Sequence, residues 1–594
     1  MSEYRHPYPD MQFVINELID VDQLSQSLGL EGVNSELSNA ILDEAGRLGA
    51  DVLSPLNRIG DQQPPTLNAE GVQQTPGFAE AYQQYVKSGW GSLTAPEKFG
   101  GQALPNLLGT AVMEIWQSAN MAFALCPLLG QGAIASITHH GSDELQQQYL
   151  PKMVSGEWTG TMNLTEPGAG SDLAAIKTRA VAEADHYRIS GQKIFITWGD
   201  HQMTENIVHL VLARLPNAPA GVKGISLFIV PKYLLDEQGN PAQRNDVKAV
   251  SLEHKLGIHG SPTCVMSFGD EGGAIGYLIG EENKGLSYMF TMMNHARQSV
   301  GLQGLAISER AYQHALDYAK TRLQGTQKDG SQIAIIKHPD VRRMLMQMRA
   351  SIEAMRALAY QASSESDQAQ ACLADSEQAL AHQGRAELLA PVVKGWITEL
   401  AQEVTSLGLQ IHGGMGYIEE SGAAQYYRDA RILPIYEGTT GIQALDLVGR
   451  KNLLNGGRLI AQLLADIEVT LVAVERSGAS LGVVAKSLRA ALSDGQTAQQ
   501  WLLEHAPEDR FAAGAVSVNF MMLFGYLSGG WLMAKSALLA QSMLESGTGD
   551  AAFLKAKLIT AQFYSEQLLP RTGACLAAIK SGSETTMALS EELF

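Results

Sequence analysis

The chain has 594 residues, 45% of them hydrophobic and 18% charged, which exceeds one hydrophobic core and predicts several packed subdomains rather than a disordered chain. A formal net charge of −19 excludes the basic footprint of a nucleic-acid binder, yet a few local arginines can still hold a small anionic ligand. The four cysteines (Cys126, Cys264, Cys372, Cys575) lie far apart with no Cys-x-x-Cys pair, which suits a reducing compartment and gives neither a disulfide framework nor a metal site.

In chain order, the N-terminal ten residues lack the apolar core of a secretory signal, so the cytoplasm is the expected location. Residues 1–35 read as an arm with one short amphipathic helix around Phe13–Leu18, and 36–155 as a helical domain broken at Gly100-Gly101 and Pro105. Residues 156–275 read as a β domain. There Tyr187–Thr197 resembles two strands joined at a Ser-Gly turn, and Asn206–Leu215 and Gly224–Val230 are further strand-length runs. Residues 276–455 read as a helical domain. Leu302, Leu305, Tyr312, Leu316, Ala319 and Leu323 mark one long helix, Glu387–Gln410 a second, and Ser363–Asp375 an exposed loop or helix edge. Asn452–Gly457 reads as a hinge, and further helices fill 456–594. The fold class is therefore α+β, mainly α, without the βαβ alternation of a doubly wound nucleotide fold. Phe511–Ala534 is uncharged and long enough to span a bilayer, with a Gly525-x-x-x-Gly529 spacing. Its asparagine, serines, glycines and alanines favour a buried bundle helix, and no second such segment is expected.

Three motifs bear on chemistry. In Thr165-Glu-Pro-Gly-Ala-Gly-Ser-Asp172, glycines let the backbone approach a ligand, and N–H groups with a serine hydroxyl can cradle a phosphate; a tight turn entering the β domain explains it equally well. Gln410-Ile-His-Gly-Gly-Met-Gly416 sits where a long helix ends. A C-terminal cap accounts for one glycine, and His412 alone reads as structural. In Arg428–Thr440, Glu437 follows an apolar run and precedes a glycine, so its carboxylate would be desolvated and made a stronger base. On residue chemistry alone, pairing with Arg428 or Arg431 is the favoured account of Glu437. Met289–Met293 reads as core packing, His139-His140 as a solvated pair, and no Walker-type, His-Glu-x-x-His or nucleophile-elbow motif is present.

Together, in this order and on a helix–strand–helix plan, the motifs resemble the acyl-CoA dehydrogenase family over roughly residues 70–450. The arm and the long tail are similar to the long bacterial branch, which includes fatty acyl-CoA and 3-methylmercaptopropionyl-CoA dehydrogenases. Thr197-Trp-Gly-Asp-His201 and Ile258-His-Gly-Ser-Pro-Thr263 fit that branch. The resemblance implies an N-terminal helical domain, a central β domain, a C-terminal four-helix bundle and an additional C-terminal helical domain. It implies FAD as cofactor, with Leu164, Thr165, Gly170, Ser171, Phe195, Ile196 and Thr197 facing the flavin and its phosphates. Arg322, Gln410, Gly413 and Gly414 would hold the phosphate and adenosine parts across a subunit interface, and Thr439 would also touch FAD. Ser171, Asn294, Arg297 and Gly438 would lie along the acyl-CoA substrate.

The implied reaction gives a trans-2-enoyl-CoA. Glu437 takes the α-proton, its backbone N–H and a flavin hydroxyl bind the thioester carbonyl, and the β-hydride passes to the flavin. Some relatives place the base immediately before the arginine matching Arg297; here that residue is Ala296, which leaves Glu437. Many relatives carry glutamine where this chain has Gly441, so no side-chain contact to FAD is assigned there. Medium- to long-chain fatty acyl-CoA is the first substrate expectation and a short thioether acyl-CoA the second; small residues within Ile115–Leu128 bear on pocket depth. Electron-transfer flavoprotein is the expected acceptor and a homodimer the expected assembly. Peripheral membrane association is left open and no transmembrane span is expected. An acyl-CoA oxidase, a non-catalytic flavin or CoA binder and a membrane scaffold are the rival readings.

Overall fold

Helix-forming runs dominate both ends of the chain and β-branched runs its middle, and the computed structural model follows that pattern. It describes residues 3–372 and 376–594. Contacts divide them into two units: Ala45–Leu104 with Ile115–Ala296, and Met1–Glu44 with Pro105–Glu114 and Arg297–Phe594.

The first unit is built on an eight-stranded sheet. Its order is Val247–Leu252, Thr263–Phe268, His186–Thr197, Ala274–Ile279, Ser226–Pro231, Asn206–Ala213 and Trp158–Asn163, with Arg179–Glu183 also on the long strand. Only the Trp158–Asn163 and Asn206–Ala213 pair is parallel; the others are antiparallel. Ile189, Ile196, Val211, Phe228, Val230, Cys264, Met266 and Phe268 form its buried core. Tyr187–Thr197 is not a hairpin, as expected from its Ser-Gly pair, but part of one twelve-residue strand. Gly191 adopts φ +151°, and an added Cβ would run into Thr178, so this glycine serves a close backbone approach rather than a turn. The part of the Asn106–His140 helix from Ile115 onward belongs to the same unit and breaks at Asn120 (φ −158°, ψ 93°). There Asn120 accepts from Phe123 N–H at 3.1 Å and donates to Leu53 O at 3.2 Å. Ser118, Ala119, Ala122 and Ala124 are buried around that break.

The second unit is helical. Arg297 onward of the Gly285–Thr321 helix joins Pro339–Ala371, Glu377–Ile411 and Thr440–Gly449, and the last two pack against Ala512–Ser546. Small residues set the approach distances. A Cβ on Gly301 would meet the Val393 carbonyl at 2.7 Å, and one on Gly525 would enter the Trp396 indole. Leu323 belongs not to the long helix but to an exposed strand, Leu323–Thr326, because the helix ends at Thr321. Of the exposed loop or helix edge expected at Ser363–Asp375, the stretch Ser363–Ala371 is helical rather than a loop. It continues the Pro339–Ala371 helix with Ser363, Ser364 and Asp367 buried, Asp367 accepting the N–H groups of Asn106 and Leu107 at 2.8 and 2.9 Å. The rest of that predicted segment, 373–375, lies outside the described residues. The N-terminal arm is helical over Tyr8–Leu18 and Val21–Ser27, with Met11, Val14 and Ile15 fully buried. Among the described residues two helices, not one, are long and apolar enough to cross a membrane, Asn106–His140 and Ala512–Ser546, and most of each apolar window is buried.

Candidate active site

In the sheet unit, the Leu164–Ser171 segment follows the Trp158–Asn163 strand and is tied back by Glu166. That buried carboxylate accepts from Lys193 Nζ at 2.8 Å, Thr178 N at 3.1 Å and Thr178 Oγ1 at 2.6 Å. Burial works against the Glu166 carboxylate, but Lys193, Thr178 and Lys177 outweigh it and hold its pKa below the ordinary value. Lys193 also donates to Leu164 O at 3.0 Å, and Ile194 N–H to Thr165 O at 2.9 Å, so the loop is stitched to the long strand. The strand then presents Phe195, which is 59% exposed in a left-handed conformation (φ 60°). A bulky residue there is a genuine backbone outlier. Ile196 points into the core, and the Thr197 carbonyl accepts from Thr161 Oγ1 at 2.8 Å.

The next four residues lock this edge. Trp198, also left-handed, donates its indole N–H to Ala122 O at 3.1 Å and its backbone N–H to Pro262 O at 2.8 Å. Asp200 pairs with Lys232 at 2.7 Å and accepts from Val72 N–H at 3.0 Å. His201 lies 2.9 Å from Thr159 Oγ1, and burial holds its imidazole neutral with a pKa near 3. Gly170 and Ser171 are exposed. A Cβ added at Gly168 or Gly170 would meet nothing within 4 Å, so the chain's own packing does not demand glycine at either position.

In the helical unit, Glu437 stands on the short connection before the Thr440–Gly449 helix. Its backbone is left-handed (φ 55°), and Gly438 after it has φ 89°. Gln443 Nε2 donates to the carbonyls of Glu437 and Gly438 at 3.3 and 3.4 Å, and Thr439 caps the helix by accepting from Ile442 N–H at 3.4 Å. Burial raises the Glu437 pKa above the ordinary carboxylate value, against the opposing charges of Arg297 and Lys394. The sequence-adjacent partners are not used: Arg428 pairs with Glu419 at 2.9 Å, and no ion pair joins Glu437 to Arg431 among the described residues. Arg297, itself buried, faces both Glu437 and Asp446.

The Gln410–Gly416 cluster lies elsewhere on this unit. Gln410, Gly413 and Gly414 are exposed at the end of the Glu377–Ile411 helix, Gly413 with φ 60°. His412 is buried beneath them, its ring 4.5 Å from those of His314 and Tyr318. Arg322 is exposed, and its N–H bonds Tyr318 O, placing it one turn beyond the residue that touches His412. Asn294 is exposed on the part of its helix that belongs to the sheet unit. Sequence reasoning missed Lys193, Gln443 and Lys394. The detectable signal for Lys394 is a single lysine inside the apolar run Leu388–Ile397.

Family models match nearly the whole of this plan. The acyl-CoA dehydrogenase N-terminal, middle and C-terminal domains match residues 63–157, 161–270 and 283–451, and the acetyl-CoA dehydrogenase C-terminal-like domain matches 460–590. The chain is 49% identical to 3-methylmercaptopropionyl-CoA dehydrogenase of Ruegeria pomeroyi, over 96% of this chain and 97% of that protein. The chain belongs to the acyl-CoA dehydrogenase family. It is also 35% identical to the broad-specificity linear acyl-CoA dehydrogenase FadE5 of Mycobacterium tuberculosis, over 100% of each chain. Among solved structures, Caenorhabditis elegans ACDH-11 in complex with C11-CoA shares the fold with a TM-score of 0.78 and 22% identity, over 96% of this chain and 93% of that one. A Bacillus anthracis acyl-CoA dehydrogenase complexed with FAD does so at 0.74 and 23%, over 94% and 90%. Like the rest of its family, the protein is an oxidoreductase.

Proposed function

We propose that this acyl-CoA dehydrogenase desaturates the α,β-bond of an acyl-CoA thioester with Glu437 as base and FAD as cofactor. The observation that carries the reading is Glu437 itself, held in a strained left-handed conformation with a carboxylate that burial has made more basic. Its own N–H makes no hydrogen bond among the described residues, so it is available to the thioester carbonyl. As the α-proton leaves, charge grows on that carbonyl oxygen, and a fixed N–H donor then stabilises it most. Glu437 receives the proton, and Arg297 stands beside it to balance the charge of the carboxylate or of the substrate.

The residues present fit FAD. Gly168, Gly170 and Gly414 have no intramolecular need for glycine, and Phe195 offers an exposed aromatic face beside Thr197. In this reading Leu164, Thr165, Gly170, Ser171, Phe195, Ile196 and Thr197 hold the flavin end, Arg322, Gln410, Gly413 and Gly414 the adenosine end, and Thr439 a further contact. Ser171, Asn294, Arg297 and Gly438 line the acyl-CoA. Bound there, FAD supplies the two-electron acceptor that the reaction requires. Electrons then pass to an electron-transfer flavoprotein, and the protein works as a homodimer.

On substrate, the 49% identity to a 3-methylmercaptopropionyl-CoA dehydrogenase favours a short thioether acyl-CoA over the fatty chain expected first from sequence. The 35% identity to a broad-specificity linear acyl-CoA dehydrogenase keeps straight chains as the second reading. Anaerobic titration of the holoenzyme with 3-methylmercaptopropionyl-CoA and a straight-chain series, monitored by flavin bleaching, decides between them. Bleaching strongest with the thioether is expected. Glu437→Gln should retain FAD but show little or no bleaching, and normal bleaching by that variant overturns the base assignment. Immediate reoxidation in air with peroxide release would show an oxidase instead.

A further inference from the structure

Lys394 is the one charge inside the apolar run Leu388–Ile397, on the Glu377–Ile411 helix. Its side chain is fully buried, and its Nζ has no hydrogen-bond partner among the described residues. Taking an ammonium out of water is costly, so an unpartnered one needs a compensating field. The groups that supply or oppose that field are few. Glu437 and Glu399 attract it, and Arg297 repels it. The helix packs against Thr440–Gly449, the element just after Glu437, while its neighbour Gly395 meets Met521 and Gln443, neither charged. Glu399 is already engaged by Thr440 Oγ1. Arg297 is shared with Asp446, which also pairs with Arg450. Tyr436, the neighbour of Glu437, donates its hydroxyl to Gln303 and stays neutral. Glu437 therefore faces two cations, Arg297 and Lys394, and the Lys394 Nζ makes no hydrogen bond among the described residues.

We propose that Lys394 is a positioning residue for the dehydrogenation: its buried ammonium holds the Glu437 carboxylate in the ionised form that accepts the α-proton. This rests on the reading of Glu437 as the base. Burial alone drives a carboxylate toward its protonated form, which cannot act as a base, and an opposite charge nearby typically lowers a carboxyl pKa by about 1–3 units. Arg297 also faces Asp446, and Lys394 also faces Glu399, whose carboxylate is engaged by Thr440 Oγ1. The ammonium is itself weakly held, since burial brings its pKa down to about 8 against the pull of Glu437 and Glu399. It is charged below that pH, the range in which Glu437 needs the help. Once Lys394 loses its proton at higher pH, Glu437 remains ionised and becomes a stronger base.

The test is the pH profile of kcat/KM for the holoenzyme with a saturable acyl-CoA, in wild type and three variants. Lys394→Met removes the charge but keeps the volume, and it breaks no hydrogen bond, since the Nζ makes none among the described residues. It should fold, keep its flavin and its plateau KM within about twofold, and shift the acid limb upward by about 1–3 pH units. Lys394→Gln should shift the limb likewise. Lys394→Arg, whose charge does not titrate in this range, should leave the acid limb in place and abolish the inflection near pH 8. A purely structural lysine predicts lower thermal stability with an unmoved limb. An acid limb in the flavin-loaded Lys394→Met or Lys394→Gln enzyme that coincides with wild type overturns the proposal. Should both neutral variants fail to fold, identical wild-type and Lys394→Arg profiles across pH 8 overturn it as well. Glu437→Gln separates the two ideas. Turnover in that variant removes the base, whereas a dead Glu437→Gln beside an unshifted Lys394→Met removes only the role of Lys394.

Discussion

Glu437 is a glutamate in a backbone conformation that glycine normally occupies, at a cost on the order of 1–3 kcal/mol. The next few residues hold the strain in place: Gln443 grips two successive carbonyls, and Thr439 caps the Thr440–Gly449 helix. The direction of the pH dependence is fixed by the working form. In the proposed mechanism that form is the carboxylate, its pKa lies above the ordinary value, and so kcat/KM should fall as pH drops through a point above the usual carboxylate range of about 4.3. A wild-type acid limb at or below that value in a pH–rate profile would contradict the burial argument. The burial of Glu437 is legible in the sequence, where an apolar run ends at a glycine, but its role as base comes only from what the resemblance implies. The partners of its carboxylate are not legible there. Nearness in sequence suggests Arg428 and Arg431, but Arg428 sits within reach of Glu419, and the cations that face Glu437 arrive from two other helices. Charge pairing is a tertiary fact, and a single sequence gives only the candidates for it.

At the level of elements, the order of helices, strands and helices can be read from periodicity, and the errors of that reading share one cause. Tyr187–Thr197 reads as two strands, Ser363–Asp375 as an exposed loop or helix edge although Ser363–Ala371 lies within a helix, and Leu323 as a helical residue, because local composition says nothing of the neighbours that decide it. Glycine shows this most clearly. In the Ala512–Ser546 helix, the spacing of Gly525 and Gly529 suits membrane helices, yet here Gly525 makes room for Trp396 and Gly529 for the Tyr564 hydroxyl. Gly514 in the same helix has open space around it. Gly525→Ala should therefore destabilise the protein by about 1–3 kcal/mol through overpacking. Gly514→Ala should be neutral or stabilise by roughly 0.5–1 kcal/mol through helix propensity alone. Thermal melts of the two variants check this, and equal melting temperatures would show that Gly525 is not a packing residue.

Across the helical unit as a whole, one buried charge cluster joins parts of the chain that are hundreds of residues apart. Arg356 binds Glu114 at 2.7 Å, Glu309 at 2.8 Å and Asp10 of the N-terminal arm, and Lys557 of the C-terminal helices binds Asp10 and Glu353, the latter at 2.9 Å. Tyr360 adds a hydroxyl to Glu114 at 2.6 Å. Nothing in the local sequence of the arm announces this; Asp10 looks like a first-turn acidic residue of a short surface helix. The arm and the added C-terminal helices are thereby tied to the same bundle that carries Glu437, which gives the tail a structural task independent of chemistry. Lys557→Met should leave Asp10 and Glu353 short of a counter-charge in a buried place and cost about 3–5 kcal/mol, the range for breaking a buried ion pair. Adding Asp10→Asn should recover part of that loss, because the neutral amide no longer needs the ammonium. The pH dependence has a definite direction. Burial opposes the Asp10 carboxylate, but Lys557 and Arg356 outweigh it, so its folded pKa lies below the unfolded one. Its contribution is then fully present above the unfolded value of about 3.9 and is lost as pH falls through the folded value. Urea melts at pH 7 and pH 3 should show the Lys557→Met penalty shrinking in acid; a penalty equally large at both would mean that lost packing, not lost charge, is what the lysine supplies.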